Sequence, residues 1–97
     1  MDDLTRDAMI RGLIMDTLNS SSPGVFSDVV LGSLVSGYAG FPELSIDQVR
    51  AHLHYLAGKH YIKIVLETRA IWKVQIDAEG TRLCAGVIKD HLVTVRQ

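Results

Sequence analysis

Six consecutive residues, Leu44-Ser45-Ile46-Asp47-Gln48-Val49, dictate more of the architecture than any other part of the chain. The Ser45 hydroxyl can accept from the backbone N–H of Gln48 while the Gln48 side chain accepts from that of Ser45. Such a capping box satisfies two of the donors a helix leaves free at its start. Leu44 and Val49 occupy the two positions of a hydrophobic staple, which fixes the angle at which the chain enters. A helix therefore begins within a residue of Ile46, with Val49, Leu53 and Leu56 as its apolar stripe, His52 on the flank, and an end near Gly58. Its outer side consists of Asp47, Ala51, His54 and Gly58, with Gln48, Arg50 and Tyr55 beside them.

Two helices are expected upstream. From about Leu4 to Asn19, Met9, Ile10, Leu13, Ile14, Thr17 and Leu18 fall on one stripe. Asp2 or Asp3 can cap this helix, since a carboxylate there accepts free N–H groups and complements the positive end of the dipole. Ser20-Ser21-Ser22-Pro23-Gly24 ends it with turn residues and a proline. Ser27 is the N-cap of a second helix that carries Val30, Leu31, Leu34, Val35 and Tyr38 inward, and Gly40-Phe41-Pro42 closes it as a tight connection. Gly32 and Gly37 each cost about 1 kcal/mol against alanine, so either another helix approaches closely there or this helix is weak.

Downstream the period changes. Tyr61 to Leu66 and Ile71 to Ile76 are rich in β-branched and aromatic residues, and Lys73 and Gln75 alternate with Trp72, Val74 and Ile76. These are two strands of a hairpin joined through Glu67-Thr68-Arg69-Ala70. Asp77 caps a short last helix with Leu83 and Cys84 facing inward and Gly86 as its C′ glycine. Residues 87–95 are too apolar for a free terminus. They either cover their own domain or pair with a second copy.

A chain of 97 residues, 47% hydrophobic, has material for one compact core. Its formal net charge of −1 names no partner, but the charge is unevenly spread. Met1 to Leu44 holds six acids against two bases, and Ser45 to Ile76 two acids against five bases, with His52, His54 and His60 in the same basic stretch. Any footprint for an anionic partner lies there. The apolar runs are too short to cross a bilayer and Asp2-Asp3 is no signal-peptide start, so a cytoplasmic protein is expected. Cys84 has no second thiol for a disulfide or zinc site and is expected to be inert.

Helix, helix, capped helix, hairpin, helix is the order of winged-helix domains, and two stretches resemble that family more closely. His52-Leu53-His54-Tyr55-Leu56-Ala57-Gly58-Lys59-His60-Tyr61-Ile62 is similar to a recognition helix and its following turn, with His60 where the family prefers glycine. Trp72 to Leu83 resembles the strand-to-helix phrase that closes the wing. The resemblance implies an α+β winged helix-turn-helix over residues 1–86, with three helices, a two-stranded β-hairpin wing and a short C-terminal helix. It leaves 87–97 as a tail and possible dimer contact. More faintly, the whole chain is similar to small winged-helix proteins of Mu-like phages and prophages, a likeness that supplies no function.

In most winged-helix DNA binders the third helix enters the major groove and the wing follows the backbone or minor groove. Gln48 can then read adenine and Arg50 guanine, while His54, Lys59, Lys63 and Arg69 meet phosphates. Asp47 opposes this by repelling phosphate, and five scattered bases predict weak, salt-sensitive binding unless the chain dimerises. The alternative is an interaction module of the same fold that touches no nucleic acid. No catalytic motif, cofactor loop, metal-ligand spacing or small-molecule site is evident; His52 and His54, two apart, face different ways on a helix.

Overall fold

The computed structural model describes residues 2–38, 41 and 43–96. Among the described residues, four helices and one antiparallel sheet follow the chain as α1 (Asp3–Ser20), β1 (Phe26–Ser27), α2 (Asp28–Ser36), α3 (Ile46–Gly58), β2 (Ile62–Glu67), β3 (Trp72–Ile76) and α4 (Ala78–Cys84). The fold is thus α+β, and its sheet has three strands in the order β1-β3-β2, where two were expected. The extra strand is two residues long, Phe26 pairing with Val74 and Ser27 with Lys73. Two residues show no period, and this strand exists only because the outer edge of β3, 46 or more residues away, is open to it.

The caps formed as their chemistry requires. Asp2 accepts from the Thr5 N–H, Ser27 from that of Val30 and Asp77 from that of Ala78. The Ser45–Gln48 box is closed in both directions, at 2.9 and 3.2 Å. Gly86 takes a positive φ of 80° after α4; it donates to the Leu83 carbonyl while Val87 donates to that of Arg82, the paired bonds of a Schellman end. The tight connection expected at Gly40-Phe41-Pro42 lies, apart from Phe41, outside the described residues.

A single core runs from Ile10, Ile14, Met15 and Leu18 of α1 through Leu31 and Val35 of α2 and Val49, Leu53 and Leu56 of α3 to Ile62, Trp72, Val74, Ile76 and Leu83. Ile62 faces Ile76 and Ile64 faces Val74 on the inner side of the sheet, while Lys63 faces Gln75 on the outer side. A bulge at Val65 shifts the register before Leu66 meets Lys73.

Two helix faces differ from the expected stripes. In α2 the buried residues are Asp28, Leu31, Gly32 and Val35, while Val30 and Leu34 point to solvent, as does Tyr38 beyond the end of the helix. Gly32 is the cause: a Cβ there would stand 3.0 Å from a Val49 methyl, so α2 lies close against α3 on its glycine side and turns the ridge outward. In α1, Ala8, Gly12 and Met15 are buried, while Met9, Leu13 and Thr17 are half-buried. The tail covers that other side. Thr94 donates to the Ala8 carbonyl at 2.9 Å, a Cβ on Gly12 would stand 1.6 Å from the Thr94 carbonyl oxygen, and Val93 belongs to the common core. The apolar tail therefore packs on its own chain.

Candidate nucleic-acid interface

The six residues expected to meet DNA all lie on α3, its C-terminal end or the hairpin, but they do not form one free surface. Gln48 is exposed in the first turn of α3, with its side-chain oxygen engaged by the Ser45 N–H. Arg50 is turned inward. Its Nε donates to Asp28 Oδ2 at 2.7 Å, its Nη1 to the Arg69 carbonyl at 3.3 Å, and its guanidinium lies 5.1 Å from the Trp72 ring centre.

Asp28 is wholly buried, and its other oxygen accepts from the Val29 N–H at 2.9 Å. Removing one partner of such a sealed pair costs about 3–5 kcal/mol, because the charge left behind has no water to solvate it. Arg50 thus binds α2, α3 and the hairpin into one rigid piece, and its guanidinium is occupied where a base reader's would be open. The sequence reading missed this because the partner, Asp28, sits in a neighbouring helix with no spacing to announce it. The one available signal was the lone acid between an N-cap serine and an apolar run.

His54 is exposed on α3, edge-on to Trp72 with ring centres 4.8 Å apart. Lys59 follows the last turn of α3, 5.9 Å from the Tyr55 ring centre, where a cation also favours the negative end of the helix. Lys63 projects from the outer face of the sheet, and Arg69 is exposed in the hairpin turn that Thr68 closes through bonds to and from Ile71. Lys73 belongs with them and was not singled out from sequence. The alternation Trp72-Lys73-Val74 had already placed it opposite to two core residues, and the structure sets it outward between Ser27 and Leu66.

Among the described residues, Lys59, Lys63, Arg69 and Lys73 make no ion pair, whereas the carboxylates of the N-terminal half are engaged internally. Asp2 caps α1, Asp3 holds Arg6, Asp16 accepts from the Arg96 N–H and Asp28 holds Arg50. Glu43 and Asp47 are the exceptions, both exposed, Asp47 on the outer side of α3.

Behind this surface lies a second polar cluster. Asp90 Oδ2 accepts from the hydroxyls of Tyr55 at 3.0 Å and Tyr61 at 2.8 Å, and Oδ1 from the Leu92 N–H. Partial burial works to raise the Asp90 pKa, but those donors and nearby Lys59 hold it below the ordinary carboxylate value. The phenols move up, by burial first and then by the carboxylate they serve. His52 is buried with Nε2 3.8 Å from Asp7 and Nδ1 unpartnered; burial, then the charge of Arg11, lowers its pKa against the pull of Asp7. Cys84 is half-buried, its thiol pushed up to about 11 by burial and by Asp16, which leaves it protonated and unreactive at neutral pH.

Among the described residues no three His, Cys, Asp or Glu side chains gather closely enough to hold a metal ion, and no helix is long and apolar enough to cross a membrane. Compared with protein-family models, with curated proteins and with solved structures, the chain finds no match in any of the three.

Proposed function

We propose that this domain is a winged helix that binds double-stranded DNA mainly through backbone phosphates, with α3 towards the major groove and the β2–β3 hairpin as the wing. The observation that carries the reading is the contrast in how charges are used. Lys59, Lys63, Arg69 and Lys73 stand exposed without a carboxylate partner around the end of α3 and the hairpin, while the acids of the N-terminal half are largely consumed in caps and internal pairs. The order of α2, α3 and hairpin supports the winged-helix part of the proposal. So does the Arg50 brace, which holds the hairpin at a fixed angle to α3. A role in transcription or in handling phage DNA is what the sequence resemblance implies.

Base reading is weak in this scheme. Arg50 is withdrawn, Gln48 is shared with the capping box, and Asp47 repels the backbone. Four neutralised phosphates per chain predict a log–log dependence of affinity on salt with a slope of about −3 to −4. Fluorescence anisotropy on a duplex of about 20 bp, enough for two helical turns, should therefore give binding at low salt that falls along that slope and differs little between sequences. Lys63→Ala with Lys73→Ala should shallow the slope by about 2. No binding at low salt, or a slope untouched by the double variant, would end the proposal. Arg50→Ala is unsuitable as a probe of base contact, since it should destabilise the fold by about 3–5 kcal/mol.

A second reading, an interaction module that leaves nucleic acid alone, is favoured by Asp47 on the outer face of α3 and by the apolar side of α2. The same titration separates the two.

A further inference from the structure

Among the described residues, His60 is the only one other than glycine to take a positive φ, 62°, at the point where α3 gives way to β2. The matching end of α4 is made by Gly86 with the same pair of hydrogen bonds, so the backbone here would be better served by glycine and carries an imidazole instead. A side chain kept against such strain points to a use for it. The fold makes none: His60 is exposed, and among the described residues its ring takes part in no hydrogen bond, ion pair or aromatic pair.

The surroundings say what the ring meets. The end of α3 is open, since a Cβ on Gly58 would have nothing within 4 Å. The carbonyls of Tyr55, Leu56 and Ala57 accept from the N–H groups of Lys59, Tyr61 and His60, which largely closes the negative end of the helix to an approaching anion. Lys59 adjoins His60 in the chain and Lys63 stands on the outer face of the sheet, and neither is in an ion pair. The carboxylates on the elements that meet this junction are occupied: Asp90 accepts from Tyr55, Tyr61 and Leu92, Asp77 caps α4, and Glu79 lies 3.6 Å from Arg82. An imidazole N–H between unpaired lysines suits a phosphate oxygen, the acceptor that a DNA backbone presents.

We infer that His60 is a further phosphate contact of the DNA-binding surface, and that its left-handed backbone is kept for the imidazole it carries. The inference rests on the DNA-binding reading proposed above, and adds to it a residue that the sequence marked only as a departure from glycine.

Anisotropy titrations on the duplex of about 20 bp, with each variant's fold confirmed by circular dichroism, test it. His60→Gly suits the backbone, so it should raise the urea midpoint and yet weaken DNA binding about three- to tenfold. His60→Lys keeps the backbone demand and puts a full charge in place of the ring. It should restore binding and steepen the log–log salt slope by about 1 relative to His60→Gly. If the wild-type chain binds through Lys63 and Lys73, then an affinity unchanged in His60→Gly, or a slope that His60→Lys does not steepen, overturns this inference and leaves the DNA-binding reading standing. No binding by the wild-type chain at low salt ends both.

Discussion

His60 holds the junction between α3 and β2 in a left-handed conformation, with φ 62°. The reason is the helix end. The His60 N–H donates to the Ala57 carbonyl and the Tyr61 N–H to that of Leu56, the same paired bonds that Gly86 makes after α4, and both need a C′ residue with positive φ. At one end the chain uses glycine; at the other a histidine whose Cβ crowds the backbone by about 1–2 kcal/mol. His60→Gly should relieve that crowding and return part of the gain as unfolded-chain entropy, a net stabilisation of about 0.5–1 kcal/mol. Urea unfolding reads it as a higher midpoint with the same slope. A lower midpoint would mean that the imidazole itself contributes to the fold. The resemblance had marked this position as one where glycine is preferred, so the conformational demand was visible in the sequence even though the residue departs from it.

At the scale of elements, what could be read from sequence was what neighbours along the chain decide. The Ser45–Gln48 box, the Asp2, Ser27 and Asp77 caps and the alternation through Trp72–Ile76 are local chemistry, and each formed where expected. What escaped depends on distant partners: the two-residue β1, the outward turn of α2, the Asp28–Arg50 pair and the side of α1 on which the tail lies. Gly12 shows why. In the sequence it is an unfavourable residue inside a helix, and only the tail 82 residues further on explains it, since any Cβ there meets the Thr94 carbonyl. Gly12→Ala tests which effect wins. Helix propensity alone would stabilise α1 by about 1 kcal/mol. The 1.6 Å approach is far too close to absorb, so the tail should be displaced, with net destabilisation and faster hydrogen exchange at Thr94. A stabilised variant with Thr94 still protected would show that the tail adjusts freely.

The molecule as a whole should lose stability towards acid in two stages, because its shifted groups titrate in separate windows. His52 has a depressed pKa in the folded chain, where burial and Arg11 outweigh Asp7. Below its ordinary value of 6.5 the unfolded chain binds this proton first, so stability falls as pH drops from there, by at most about 1.4 kcal/mol per pH unit. Asp90, also depressed, contributes stability above the ordinary 3.8 that is lost as pH falls through its lower folded value and the Tyr55, Tyr61 and Leu92 bonds to a carboxylate are given up. Asp16 works the other way. Burial raises its pKa against the Arg96 N–H, so acid relieves a penalty there as pH falls towards the ordinary 3.8, before Asp90 gives up its share. In the interval just below pH 6.5, therefore, the loss begins with His52. Urea midpoints should decline through that interval in the wild-type chain and stay nearly level in His52→Leu, which removes the titrating ring from a site 7% exposed. If the decline persists in His52→Leu, the acid sensitivity arises elsewhere, and the burial of the His52 ring between α1 and α3 costs nothing in charge.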